Sequence, residues 1–259
     1  MNLRRRLELA YYRAKGYFPG HIGGKPYRLV PDDRKFWRKV ANNQWEPHTF
    51  NILGQCLHAD AVYLDVGAWI GPTVLFAAAR CHTVYCVEPD PVAYEHLLAN
   101  LRLNDIRNVK TFHGALDSEN TRLTISNEQG FGNSETRVQR ASAGDSTTVL
   151  AMDISRFIEC WNIRQIDLIK IDVEGAEFDL MQSIIDLLPS MKPCIYLSLH
   201  APLVAQTERQ GKLAAVVELA RHYTCCYDKD LKKIEPGEIL TPRFTDRFSE
   251  VLLTDTAVH

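Results

Sequence analysis

The sequence lacks the paired cysteines that mark structural zinc sites and disulfide frameworks. Its seven cysteines are odd in number, are scattered along 259 residues and include no C-x-x-C pair. This pattern indicates reduced thiols, and we predict a cytoplasmic location and no metal site built on cysteine.

Long apolar runs and an excess of positive charge are also missing. Without a run of ~18 apolar residues, no transmembrane segment is predicted. The formal net charge of -2 gives no overall basic field, which argues against a nucleic-acid partner and against a nucleic-acid-modifying enzyme.

The N-terminal stretch MNLRRRLELAYYRAKGYF is basic but has no apolar signal core. It is typical of a short amphipathic helix, for which packing on the domain and lying on a membrane surface are both open roles. We predict that residues 1–60 are mostly helical, with an extended piece at 26–30. Residues 1–45 form a small N-terminal extension that serves packing or substrate binding, and its apolar residues also allow a homo-oligomer.

Strands and helices alternate from residue 62 onward. Strands are predicted at 62–66, 83–88, 109–116, 166–171 and 194–200, and helices at 72–80, 91–104, 153–161, 177–188 and 206–222. Near-continuous apolar strands in this rhythm predict an α/β, Rossmann-like fold over residues 46–259: a mostly parallel seven-stranded sheet with helices on both faces. The last two strands, 223–227 and 250–255, are joined by a polar loop and favour an antiparallel edge hairpin.

The region around 117–150 interrupts the alternation. It contains short strand candidates around a polar loop at 127–135, with Phe131 between two glycines. Binding residues concentrate in loops on a rigid scaffold. We therefore predict a variable insertion here that helps to select the substrate.

The first strand of the sheet ends in DVGAWIGPT (65–73), a small-residue turn that leads into a helix. Gly67 and Gly71 allow unusual backbone angles and the close approach of a ligand. Glu88 follows about 20 residues after the glycines, at the end of the next strand, as expected of an acid that binds ribose hydroxyls. Together these features predict a nucleoside ligand.

NAD fits this pattern poorly. The third glycine of G-x-G-x-x-G is absent, and no acid–base pair for hydride transfer is evident. S-adenosylmethionine has a ribose, no phosphate and a positive sulfonium that nearby carboxylates suit. Asp65 could orient the loop or bind the methionine ammonium, and Asp172 could lie over the methyl-transfer zone.

Three segments, VYLDVGAWIGPTVLFAA, VYCVEPDP and IDLIKIDVEGAEFDLM, make the chain similar to the FkbM-type methyltransferases over roughly residues 45–200. This family belongs to the class I S-adenosylmethionine-dependent enzymes. Its members are generally O-methyltransferases that act on sugars, glycolipids and secondary metabolites. The resemblance implies a small-molecule or glycan acceptor and a set of cofactor residues: Glu46, Asp65, Gly67, Ala68, Gly71, Glu88, Pro89, Gly114, Ala115, Leu116 and Asp172.

Two positions depart from the family pattern. Trp69 replaces the usual Asn of the first loop, and Ser198-Leu199-His200 replaces Glu-x-His. The candidate catalytic residues are Asp172, Glu174 and His200, with His200 as the first candidate for the base and Asp172 as the second. A divalent metal bridging these three is possible but not favoured, and Glu177 is assigned to a helix N-terminus.

Two functions outside this class stay open. One is an NAD-dependent oxidoreductase on the same scaffold, and the other is a non-catalytic domain that has kept the fold. Cofactor titration separates both of them from a methyltransferase.

Overall fold

The structure, a computed structural model, describes residues 3–127, 131–132, 137–138 and 145–258. The strands are β1 (Phe18–Ile22), β2 (Lys25–Leu29), β3 (Val62–Val66), β4 (Thr83–Glu88), β5 (Val109–His113), β6 (Ala115–Leu116), β7 (Thr121–Asn127), β8 (Arg137–Val138), β9 (Asp145–Met152), β10 (Leu168–Ile171), β11 (Cys194–Leu199), β12 (Cys225–Asp228) and β13 (Ser249–Thr254). The helices are α1 (Leu3–Lys15), α2 (Arg34–Ala41), α3 (Pro47–Cys56), α4 (Pro72–Ala78), α5 (Pro91–Leu103), α6 (Ile154–Cys160), α7 (Met181–Leu187), α8 (Gln206–Ala220) and α9 (Pro242–Thr245).

The predicted sheet is confirmed in the described part of the chain. Seven strands pair in the order β12-β13-β11-β10-β3-β4-β5. The pairs among β5, β4, β3, β10 and β11 are parallel, whereas β13 runs antiparallel to both β11 and β12. The carboxyl ends of β3, β4 and β10 therefore meet at one edge of the sheet, where ligands bind in this architecture.

Helix starts hold the strand-end loops in place. Pro72 and Pro91 stand in the first turns of α4 and α5, where a missing N–H leaves no bond unmade. The Asp90 side chain caps α5 by accepting hydrogen bonds from the amides of Val92 and Ala93. The VEPDP segment is thus a strand end followed at once by a capped helix.

The N-terminal region differs from the prediction in one respect. The extended piece predicted at 26–30 is β2, and it pairs antiparallel with β1, a strand the sequence patterns did not reveal. Gly23 and Gly24 form the turn with φ of 54° and 78°, angles that glycine adopts without steric cost. The Gly-Gly pair between two short runs was the available hairpin signal.

The strand predicted at 109–116 is interrupted at Gly114. A Cβ added to Gly114 would lie 2.5 Å from the Leu150 carbonyl oxygen and 2.5 Å from the Phe112 ring. The chain leaves the main sheet there and enters a second, four-stranded sheet of order β6-β9-β7-β8. The strand candidates within the 117–150 insertion thus form a small sheet, although most of loop 127–135 lies outside the described residues.

Two connections also differ from the prediction. The helix expected at 177–188 begins as a 3-10 turn, Glu177–Leu180, before α7. Its buried stripe includes Phe178, Met181 and Ile184, whereas Ile185 and Leu188 are only partly buried. The loop between β12 and β13, predicted to lack helix, contains the 3-10 turn Pro236–Leu240 and α9, whose Ile239 and Phe244 are buried in the core.

Across the described residues, no helix combines the length and apolarity needed to cross a membrane.

Candidate active site

A cavity opens at the carboxyl ends of β3, β4 and β10. Most of the site residues expected from the sequence line it, namely Glu46, Gly67, Ala68, Glu88, Pro89, Ala115, Leu116, Asp172, Glu174 and His200. Asp65, Gly71 and Gly114 are not among the lining residues that the structure describes. These three residues lie behind the cavity wall, and their packing and hydrogen bonds shape it.

The loop after β3 packs so closely on the end of β10 that only glycine fits at its first turn. Gly67 has φ of 87°, and a Cβ there would lie 1.9 Å from the Asp172 carbonyl oxygen. The amides of Gly67 and Ala68 both donate to the Val87 carbonyl, at 3.0 and 3.1 Å. The loop is therefore fastened to both neighbouring strands, which fixes the backbone that faces the cavity.

Lys170 is buried between two carboxylates. Its Nζ lies 3.1 Å from Asp172 Oδ2 and 3.6 Å from Asp65 Oδ1. Burial lowers the pKa of Lys170, but the charges of Asp172, Asp65 and Glu46 outweigh that effect, so the pKa is raised overall. Asp65 also accepts a 2.5 Å hydrogen bond from Thr73 Oγ1, so it links β3 to α4 and orients the loop.

Glu88 lies at the cavity wall with both oxygens on backbone amides. Oε2 accepts from the Trp69 amide at 2.6 Å, and Oε1 from the Asp90 amide at 2.7 Å. Burial raises the pKa of Glu88 to about 8, although these two hydrogen bonds act in the opposite direction. A carboxylate oxygen can accept more than one hydrogen bond, so Glu88 retains capacity for ligand hydroxyls.

Three carboxylates surround the imidazole of His200. Nε2 lies 3.5 Å from Asp172 Oδ1 and 3.8 Å from Glu174 Oε1, and Nδ1 lies 3.4 Å from Glu177 Oε1. Burial lowers the pKa of His200, but the acids prevail and raise it to about 9. The ring is protonated at neutral pH and cannot accept a proton there, which argues against His200 as the base.

Glu177 lies in the first turn of the 3-10 helix, as predicted from the sequence, and it has a second role as well. It is fully buried, and it accepts a 2.7 Å hydrogen bond from the His200 amide and a 2.8 Å bond from the Gly175 amide. It therefore ties the turn after β10 to the end of β11 and holds His200 beside the cavity.

Glu46 belongs to a polar chain at the other side of the cavity. Its Oε2 accepts from Thr49 Oγ1 at 3.2 Å, Thr49 lies 3.0 Å from the Tyr196 hydroxyl, and Tyr196 donates to Glu250 at 3.0 Å. Burial and then the charge of Asp172 raise the pKa of Glu46 to about 7. Glu46 is thus poised to exchange a proton near neutral pH.

Aromatic rings from the N-terminal extension support the cavity rim. Phe36 of α2 contacts Trp45 and Trp69 edge to face, with ring centroids 5.0 and 4.5 Å apart. Trp69 Nε1 donates to the Gly132 carbonyl at 3.1 Å, and the Gly132 amide donates to Asp90 Oδ2 at 2.7 Å. Trp69 therefore packs under the loop and ties the insertion to it.

Three residues of the cavity have a strained backbone. Glu46, Trp69 and Glu174 all line the cavity and have φ of 38°, 48° and 51°. Non-glycine residues rarely adopt such angles, and they persist where the surrounding contacts hold them.

A second, polar groove adjoins the cavity and shares Leu116, Glu174 and Ala176 with it. It runs along β7 toward α8. The rest of its lining is mostly charged or hydroxylated: Asp117, Ser118, Glu119, Thr121, Arg122, Leu123, Thr124, Gly175, Asp179, Leu203 and Lys212.

The described residues contain no group of three or more His, Cys, Asp or Glu side chains arranged to hold a metal ion. The divalent ion considered between Asp172, Glu174 and His200 gains no support from this geometry.

The chain matches a described protein family and is similar to parts of several known proteins. The family model described as the methyltransferase FkbM domain matches residues 65–222. A curated protein named Methyltransferase 1, from Beauveria bassiana, is 25% identical over 148 residues, which cover 49% of this chain and 59% of the relative. An uncharacterized protein of Methanocaldococcus jannaschii is 27% identical over 70 residues, 27% of each chain.

Among solved structures, an FkbM methyltransferase from Methylobacillus flagellatus aligns with a TM-score of 0.49 at 15% identity. The alignment covers 75% of this chain and 43% of that one. The chain thus spans less than two thirds of the length of each of these relatives.

Proposed function

Because the chain belongs to the FkbM methyltransferase family, we propose that it transfers a methyl group from S-adenosylmethionine to a hydroxyl of a sugar, glycolipid or secondary metabolite. The observation that carries the proposal is the cavity at the strand ends, where Glu88 lies beside the glycine loop and Glu46, Asp172 and Glu174 face the same space. When bound, S-adenosylmethionine supplies a methyl group on a positively charged sulfur.

The cavity walls suit this cofactor in three ways. Glu88 has lone pairs left for ribose hydroxyls. Ala115, Leu116 and Ile125 provide an apolar wall for an adenine ring. The carboxylates of Asp172 and Glu174 favour a positive sulfonium. Because S-adenosylmethionine has no phosphate, the cavity does not need a cation to bind one.

The polar groove beside the cavity supports an acceptor rich in hydroxyls. Its threonine, arginine and acid side chains provide donors and acceptors along a path that meets the cavity at Glu174. Phe248 is 63% exposed, and its ring centroid lies 5.4 Å from that of His200. An exposed aromatic ring beside the cavity suits the apolar face of a sugar.

Proton transfer is assigned to the carboxylates, not to His200. The acceptor oxygen attacks the methyl carbon, the carbon–sulfur bond breaks, and the hydroxyl proton leaves. Glu46, with a pKa of about 7, accepts the hydrogen bond of this hydroxyl and takes its proton. The negative charge of Asp172 favours the positive sulfonium beside it. The imidazolium of His200 holds Asp172 and Glu174 in position.

The proposal is tested by following a labelled methyl group from S-adenosylmethionine into a panel of monosaccharides, glycolipids and phenolic metabolites. We expect a labelled methyl ether with at least one class and about a 100-fold lower rate in Asp172→Asn. Arg122→Ala, on the groove, raises KM for the acceptor and leaves cofactor binding unchanged. NAD-dependent turnover without methyl transfer would overturn the proposal.

A further inference from the structure

The first helix presents an apolar face to solvent. Leu3, Leu7 and Tyr11 are 71%, 62% and 61% exposed. Their spacing of four residues places them on one face of α1, where the exposed Ala10 and Ala14 also lie. Such a continuous stripe on a chain that buries its other helices well calls for a partner.

Basic residues border this stripe on both sides. At about 100° per residue, Arg4 and Lys15 flank one edge. Arg6 and Arg13 flank the other, where Arg13 also pairs with Asp32 of the domain. The 13-residue helix carries five basic residues and one acidic residue, although the whole chain has a net charge of -2. The positive charge is therefore local to the apolar stripe.

The opposite side of the helix docks it on the domain. Glu8, its one acid, pairs with Arg34 and Arg38 of α2. Arg34 also donates to the Arg5 carbonyl at 3.0 Å, and the ring centroids of Tyr12 and Phe18 lie 5.0 Å apart. These contacts fix which face of α1 points outward.

We propose that the Leu3–Leu7–Tyr11 face of α1 binds an anionic lipid surface, lying in the plane of the membrane interface. Apolar side chains flanked by arginine and lysine match acyl chains below and acidic headgroups beside them. A second copy of the chain fits less well, because pairing two such stripes would bring their flanking arginines together. Nucleic acid would leave the leucines uncovered.

A short series of contacts connects α1 to the cavity. α1 packs on α2, and Phe36 of α2 contacts Trp45 and Trp69 at the cavity rim. Attachment through α1 would hold the cavity at a defined position near the lipid surface. The inference rests on α1 alone and does not depend on the proposed function.

The test is sedimentation of the full chain with phosphatidylcholine vesicles, with and without phosphatidylserine. We expect binding to the phosphatidylserine vesicles that weakens with added salt and is at least tenfold stronger than binding to phosphatidylcholine alone. Leu7→Ser lowers it about tenfold. The control Leu150→Ser removes another exposed leucine, 45% exposed on β9, and leaves binding unchanged.

Three results would overturn the inference. They are no binding to either vesicle, equal binding of Leu7→Ser and wild type, or a dimer that Leu7→Ser dissociates in the absence of vesicle binding. Because Leu7 is exposed, the variant keeps its fold, which circular dichroism verifies.

Discussion

Gly67 marks the closest approach between the cofactor-side loop and β10. An added methyl group would meet the Asp172 carbonyl oxygen at 1.9 Å, and neither backbone can move without losing its strand bonds. We expect Gly67→Ala to lower the free energy of unfolding by about 3 kcal/mol or more, from overpacking and the positive φ together.

Gly16 provides the matched control for this substitution. Its φ is 83°, but nothing lies within 4 Å of an added Cβ. We therefore expect Gly16→Ala to lower the free energy of unfolding only by the cost of the positive φ, about 1–2 kcal/mol. Equal losses in urea unfolding of the two variants would contradict the contact argument.

Lys170 neutralises two carboxylates inside the sheet. In Lys170→Met, Asp65 loses its buried counter-charge, whereas Asp172 keeps His200 beside it. We expect the free energy of unfolding to fall by about 3–5 kcal/mol. Adding Asp65→Asn restores part of it, because one uncompensated charge is removed. Lys110→Met, at an exposed strand lysine, changes stability little. If chemical denaturation showed that Lys170→Met loses no more stability than Lys110→Met, Lys170 would not be needed to neutralise these carboxylates.

Glu46 makes stability and activity depend on pH in opposite ways. Its pKa in the folded chain, about 7, exceeds its ordinary value of 4.5. The native state therefore holds this proton longer than the unfolded state, and stability falls as pH rises from 4.5 to 7. We expect Glu46→Gln to have a free energy of unfolding on the order of 1 kcal/mol higher than wild type at pH 8 and equal to wild type at pH 4.

Activity gives the second readout for Glu46. In wild type, kcat rises as pH passes through about 7, because the ionised carboxylate accepts the proton. Glu46→Gln loses this rise and retains a low, flat rate. A Glu46→Gln variant with an unchanged pH profile would remove Glu46 from proton transfer.

At the scale of elements, the contact of Trp69 with Gly132 joins the small-sheet insertion to the main sheet. Trp69→Phe keeps an aromatic ring against Phe36 but removes the 3.1 Å hydrogen bond to the Gly132 carbonyl. We expect about fivefold faster hydrogen exchange at the Gly132 amide, from a loss of about 1 kcal/mol. The control is Trp161→Phe, at a ring that packs on Tyr85 and Phe157; it leaves that exchange rate unchanged. Equal acceleration in both variants would contradict the role of the Trp69 hydrogen bond in holding the insertion.

Elements with strong local patterns were predictable. The parallel sheet was predicted from apolar strands that alternate with helices along the chain. Each of these signals lies within a few residues. The break at Gly114 depends on Leu150, which is distant in sequence. The pairing of β1 with β2 is local, and its Gly23-Gly24 hairpin signal was not used. The helical turns before β13 lacked a periodic pattern long enough to recognise.

The candidate site was predictable where residues end strands. Glu88, Asp172 and Gly67 follow apolar runs and are easily identified. Lys170 interrupts the apolar run of β10, a signal that we did not use. Glu177 is bonded by the residue that follows β11, and Glu46 by a residue of α3. The roles of these two acids therefore emerge only from the fold.

At the scale of the whole molecule, one sheet edge brings together residues from the start of α3, the end of β4 and the end of the last parallel strand, β11. Glu46, Glu88 and His200 are far apart in sequence but line one cavity. This convergence is the physical basis for proposing a single ligand that spans the strand ends.

The most direct test of that proposal is calorimetric titration of the full chain with S-adenosylmethionine's demethylated product, S-adenosylhomocysteine, and with NAD. We predict micromolar binding of the former, no binding of NAD, and at least tenfold weaker binding in Glu88→Ala, which removes the oxygens that accept hydrogen bonds from ribose. Folded protein that binds neither ligand, or binds NAD alone, would contradict the account.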